Sequence, residues 1–225
     1  MGHAFYLDSL DNGLVLMRFD RAGQKVNTFS QEVLGELKQW MQNLRDREGV
    51  RGLLFTSGKQ GQFIAGADLK ELGALAHATE QQVDEAIAFG HELFAMVADL
   101  PFPTVALIEG NCMGGGTELI LSMDERIVAD TSRTQIALPE VKVGVIPGWG
   151  GTQRLPRLVG IQHALQMITT GKPVDAKEAA RIGLAFDAVP ADRLIDEGVR
   201  WIEYAHESGA WQQNRRLRSG PMNLS

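Results

Sequence analysis

The chain has 225 residues, 44% of them apolar and 22% charged, with a formal net charge of -6. That size and balance suit one large packed domain, or one domain plus part of another. The acidic excess argues against a general nucleic-acid binder, which needs clustered Lys and Arg, but leaves room for a small anionic ligand held by a few local cations.

The only cysteine, Cys112, excludes an internal disulfide and fits a reducing compartment. The N-terminus has no basic segment followed by an apolar run, and no stretch reaches the roughly 18–20 apolar residues of a membrane span. The expectation is a soluble intracellular protein without a membrane span, in the bacterial cytoplasm first, with the mitochondrial matrix as the alternative.

Apolar runs at Leu14–Phe19 and Gly52–Thr56, each bounded by polar residues or glycine, predict strands. Between them Val33, Leu34, Leu37, Trp40, Met41 and Leu44 share one helical face, with Thr28 or Ser30 as cap. A second helix is expected over Thr79–Asp99, where Thr79 and Gln82 offer a capping box. Thr104–Ile108 reads as a buried strand, then come glycines and a short helix from Gly115 to Met123. Arg126–Ala129 and Thr134–Ala137 predict further strands. After Gly148 the pattern is helical, with stops at Gly160, Gly171–Pro173 and Gly183. Strands alternating with helices imply an α/β layer fold. Asp192–Glu207 reads as a last helix. The polar, basic tail after it, SGAWQQNRRLRSGPMNLS, reads as a linker or as a cut in a longer protein.

The chemistry concentrates between Glu109 and Arg154. Gly114-Gly115-Gly116 separates a strand from a helix, a place where unpaired N–H groups and the helix dipole favour negative charge. Tight strand–helix packing explains the triplet equally well. Glu118 lies in the first turn of that helix, and Glu140 follows the sharp Leu138-Pro139 turn. Each alone is an ordinary acidic residue. Together with main-chain N–H groups they supply, without a metal, a base, an acid and a cradle for an enolate's charge. In QFIAGADLKEL, Gly66 permits a tight turn that leaves the N–H of Ala67 as a second donor. No G-x-G-x-x-G, Walker loop, G-x-S-x-G or H-E-x-x-H is present, and the five histidines lack metal-ligand spacing.

FIAGADLKEL, PTVALIEGNCMGGGTELILSMDERIVA and ALPEVKVGVIPGWGGTQRLPRLVG, in that order, resemble the crotonase (enoyl-CoA hydratase/isomerase) superfamily. Within it they are most similar to the N-terminal hydratase part of multifunctional fatty-acid oxidation α-subunits. The likeness covers roughly residues 5–190. It implies a ClpP/crotonase-like fold of repeated β-β-α units with flanking helices, residues 1–190 as the hydratase core, and 191–225 as the start of a helical region and linker cut from a longer chain.

The resemblance also implies roles. The N–H groups of Ala67 and Gly115 form the oxyanion hole, Glu118 and Glu140 are the catalytic pair, and the Gly148 N–H helps hold the attacking water. Lys25-Val26-Asn27 looks like the stretch that runs along the adenine of coenzyme A. Lys70 is similar to the lysine near its phosphates, and Ala65, Asp68 and Leu69 of the same loop join it in cofactor binding. The thioester of coenzyme A is then the substrate, with no prosthetic group. A thiolase β-subunit or further copies of the chain are the implied partners. Both glutamates together favour hydration. Isomerisation of 3-enoyl to 2-enoyl-CoA and a non-catalytic assembly module are the alternatives. Trp149 is read as a wall of the acyl pocket or as core packing, and Cys112 as a buried structural thiol.

Overall fold

A computed structural model describes residues 3–75 and 77–220. In chain order the elements are β1 (Phe5–Ser9), β2 (Leu14–Phe19), α1 (Gln31–Asp46), β3 (Gly52–Ser57), β4 (Gln62–Ile64), α2 (Leu69–Leu75) and α3 (Glu80–Ala98). Then follow β5 (Thr104–Ile108), β6 (Asn111–Met113), α4 (Gly115–Ser122), β7 (Glu125–Ala129), β8 (Gln135–Ala137) and α5 (Gly151–Thr170). The chain continues through β9 (Val174–Asp175), α6 (Ala176–Arg181), β10 (Asp187–Val189), α7 (Leu194–Ser208) and α8 (Ala210–Ser219).

Two sheets carry the fold. The larger has the order β1-β2-β3-β5-β7-β10 and is parallel except for the β1–β2 pair. The smaller has the order β4-β6-β8-β9, with β9 antiparallel. Three successive units, β3-β4-α2, β5-β6-α4 and β7-β8-α5, each give one strand to each sheet before a helix. This is the β-β-α repetition expected from the sequence. Its consequence is that the chain just beyond β4, β6 and β8 emerges at one edge, side by side.

The large sheet is covered on both faces, which is why its strands read as continuous apolar runs. Strand side chains alternate between faces. Val15, Met17 and Phe19 join the main core with α1, α3 and α4, while Leu14 and Leu16 face Trp201, Ile202 and Ala205 of α7. Ser30 caps α1 through the Val33 N–H, and the Thr79–Gln82 capping box forms. The expected helix stop at Gly160 is a kink: α5 continues through it to Thr170, with Gly160 itself at φ 79°.

Two readings change. Gln62–Ile64 and Asn111–Met113 are strands of the second sheet; three residues are too few to show a period. The tail is helical over Ala210–Ser219 and docked, not a free linker. Arg215 donates to both carboxylate oxygens of buried Asp124 at 2.6 and 2.7 Å, and to the carbonyls of Leu100 and Phe102. Tertiary pairing stabilises a segment whose own composition is poorly apolar. The last five residues of the tail lie outside the described residues.

Candidate active site

α4 begins directly from the end of β6 through Gly114, held at φ 54° and ψ -123°, a conformation a side chain disfavours. A methyl group there would stand 3.1 Å from Glu140 Oε1 and 3.9 Å from Gly66 Cα. One at Gly66 would stand 3.2 Å from the Met113 carbonyl. Three segments therefore meet: the turn after β4, the start of α4 and the turn after β8.

Two main-chain donors are open at this junction. Gly115 is the first residue of α4, so its N–H has no partner within the helix. Around Ala67 the bridge to Phe29 uses the N–H groups of Phe29 and Asp68 instead. Among the described residues neither the Gly115 nor the Ala67 N–H has a hydrogen-bond partner.

Glu118 lies one turn into α4 and is 2% exposed. Its Oε1 accepts the N–H of Trp149 at 2.7 Å and of Gly151 at 2.8 Å. Burial raises its pKa, while those two N–H groups and the nearby Arg154 oppose the rise. Glu140 opens a short 3-10 turn after Pro139. Its Oε2 is buried without a hydrogen-bond partner. Burial pushes its pKa up to about 7; its own N–H opposes this, and the charge on Glu118 adds to the rise. The two carboxyl groups therefore feel each other, and their surroundings differ. One is donor-rich and next to a cation; the other has a buried oxygen with no donor.

The Gly148 N–H is also without a partner among the described residues, one residue before the N–H that binds Glu118. Beside it an open apolar groove of 740 Å³ is lined by Ile87 of α3 and by Val141, Val145, Ile146 and Pro147. Trp149 is half-buried. Its indole N–H donates to the Ala86 carbonyl at 3.3 Å, and its ring packs edge-on against Phe29 and Phe94. A methyl group on Gly115 would be 2.6 Å from Trp149 Cζ3. The tryptophan is thus a core wedge that also borders the open N–H of Gly115.

The residues expected along the cofactor also come together. The Asn27 carbonyl accepts the Ala65 N–H at 2.8 Å, which ties the Lys25–Asn27 loop to the segment leading to Ala67. Lys25, Ala65 and Lys70 are exposed and Val26 is half-buried. Asp68 accepts the Lys70 N–H at 3.0 Å and pairs with Arg21 at 3.5 Å, and both lower its pKa. It orders the loop. Leu69 opens α2, and its side chain lies outside the described residues.

Asn27 of the expected Lys25–Asn27 stretch, and three residues that pattern did not single out, Arg21, Arg126 and Arg154, shape the site. Asn27, buried, donates to the carbonyls of Phe19 and Phe63 and to Ser57 Oγ. Arg21 bonds Thr28 and Asp68. Arg126 is fully buried, and its guanidinium caps the C-terminal end of α4 through the carbonyls of Ile120 and Met123. Arg154 lies against the Trp149 carbonyl. An isolated Arg or Asn in sequence carries no sign of such partners. Cys112 is buried, donor to nothing reactive, and burial pushes its thiol up to about 12.

A family model for enoyl-CoA hydratase/isomerase matches residues 9–214. A fatty acid oxidation complex subunit alpha from Shewanella loihica is 41% identical over 199 residues, covering 88% of this chain and 28% of the relative. The Vibrio campbellii subunit alpha is 40% identical over 220 residues, covering 96% of this chain and 31% of the relative. The chain thus spans under a third of the length of these relatives. Among solved structures, an enoyl-CoA hydratase from Bacillus anthracis superposes with a TM-score of 0.80 at 35% identity, covering 89% of this chain and 76% of that one. One from Geobacillus kaustophilus gives 0.84 at 27%, covering 97% and 80%. The fold is the crotonase fold, and the chain belongs to the enoyl-CoA hydratase/isomerase family.

Proposed function

We propose that the chain hydrates the 2,3 double bond of 2-trans-enoyl-CoA thioesters in fatty-acid β-oxidation. One observation carries this reading: the buried Glu118 carboxyl, held by two N–H groups, and the half-buried Glu140 carboxyl, with one oxygen buried and unpartnered, lie beside two open main-chain donors. The thioester oxygen would accept the N–H groups of Ala67 and Gly115, which lowers the cost of the charge that grows there. Glu118, stabilised as a carboxylate by two N–H groups, would take a proton from water as its oxygen attacks C3. The Gly148 N–H would steady that water. Glu140, whose pKa burial raises to about 7 so that a protonated fraction persists near neutral pH, would give its proton to C2. The adduct gains one hydroxyl and one hydrogen, and the protons then re-equilibrate between the two glutamates and solvent.

Coenzyme A would be held by Lys25, Val26, Ala65 and Lys70, with Asp68 and Leu69 shaping the loop. No prosthetic group is needed for this chemistry. The relatives named as complex subunits support a chain that works in a larger assembly, with a thiolase β-subunit or further copies of itself as partner. They also support residues 191–225 as the start of a longer C-terminal region. The bacterial origin of the same relatives supports a cytoplasmic setting; among the described residues no helix is long and apolar enough to cross a membrane.

The test is to offer the chain crotonyl-CoA and a 3-enoyl-CoA side by side. Faster loss of the conjugated-enoyl absorbance from crotonyl-CoA supports hydration. Conversion of 3-enoyl to 2-enoyl-CoA without hydration makes the chain an isomerase. Binding without either reaction makes it an assembly module.

A further inference from the structure

Arg154 is the one cation acting on Glu118 among the described residues, and its placement is specific. It lies one turn into α5. Its Nη1 donates to the Trp149 carbonyl at 2.8 Å, and its guanidinium crosses Gly150, where any side chain would collide with it. Gly150 is held at φ 105°, a left-handed conformation that suits glycine. The residues on either side, Trp149 and Gly151, point their N–H groups at the same oxygen, Glu118 Oε1. The turn is therefore gripped from both sides: the guanidinium holds its carbonyl, and the carboxylate holds its N–H groups.

The other charged group facing this pocket is Glu140, which repels an ionised Glu118. α3 packs Gly90 and Phe94 against Trp149, and β4 packs Ile64 against Gly116, all without charge. The burial of a carboxylate at Glu118 is offset by the N–H groups of Gly151 and Trp149 and, as the one cation, by Arg154, which also holds the turn that presents those N–H groups. The pair is matched in its response as well, since Glu118 supports the charge on Arg154 against burial.

We infer that Arg154 is a positioning residue for the hydration reaction: it locks the Trp149-Gly150-Gly151 turn onto Glu118 and supplies the counter-charge that makes Glu118, rather than Glu140, the base. This rests on the hydratase reading. It assigns the two glutamates different duties by one side chain that need not touch substrate.

The test compares Arg154→Met and Arg154→Lys with the unaltered chain in crotonyl-CoA hydration across pH, with thermal melting to confirm folding. Loss of the cation makes the Glu118 carboxylate harder to form. Arg154→Met should therefore lower kcat about tenfold or more at neutral pH and move the rising limb of the kcat profile up by about one pH unit. KM should change much less. Arg154→Lys, which keeps the charge, should restore the limb. A uniform loss at every pH with an unmoved limb, or no loss at all, overturns the inference. Should Arg154→Met fail to fold, the infrared difference between the unaltered chain and Glu118→Gln decides. A carboxylate band from Glu118 at neutral pH supports the inference, and a carboxylic-acid band overturns it. If the unaltered chain hydrates no enoyl-CoA, the hydratase reading fails, and the infrared comparison still reports the ionisation of Glu118.

Discussion

The indole of Trp149 occupies the space that a side chain at Gly90 would need, so that α3 and the turn before α5 interlock at a single point. The same tryptophan gives its main-chain N–H to Glu118, and its ring borders Gly115. Core packing and the geometry of the site are joined in one residue.

Gly90→Ala therefore tests that joint. The added methyl has no room unless the indole moves. The expected cost is about 1–3 kcal/mol in urea unfolding, as for overpacked cores. Intrinsic tryptophan fluorescence should change, and crotonyl-CoA turnover should fall more than the stability loss alone explains. An unchanged midpoint with unchanged fluorescence would show that the interlock is loose.

Glu140 sets a pH signature. Its raised pKa means that its neutral form is favoured in the fold, so its contribution to stability is complete below the unfolded value of 4.5 and is lost as pH rises through about 7. The stability of the unaltered chain relative to Glu140→Gln should decline between those values and level off above them. Turnover that needs Glu140 as the acid should fall over the upper part of the same window. A difference in unfolding free energy that is flat from acid to neutral pH would contradict the assignment.

Arg215 clamps the C-terminal helix. Asp124 is 2% exposed and is bonded by both Thr104 and Arg215. Arg215→Ala leaves that carboxylate without its cation, and removing one partner of a buried pair costs about 3–5 kcal/mol. The lower end of that range is expected, because the guanidinium is itself partly exposed. Hydrogen exchange should show α8 opening first. Equal protection of α8 in both proteins would mean that the clamp contributes little.

How much was legible follows from signal length. Strands β2, β3 and β5 are long, apolar and bounded, and α1 and α3 carry capping residues at their starts, so each is readable from local pattern. Strands β4 and β6 have three residues each and exist because the second sheet pairs them. Helix α8 exists because Arg215 reaches Asp124, 91 positions away in sequence. Glu118 and Glu140 stand out through their neighbours, glycine on one side and proline on the other. Arg154 and Arg126 bond chiefly to main-chain carbonyls, which leave no trace in residue type.

The central claim is that two carboxyl groups divide the acid and base work over one pair of main-chain donors. Crotonyl-CoA turnover in Glu118→Gln, Glu140→Gln and the double variant tests it most directly. Each single change should reduce kcat by about 10²–10⁴-fold with folding retained, and the double change should cost far less than the product of the two. Near-normal turnover in either single variant, or losses that multiply fully, would contradict a shared mechanism.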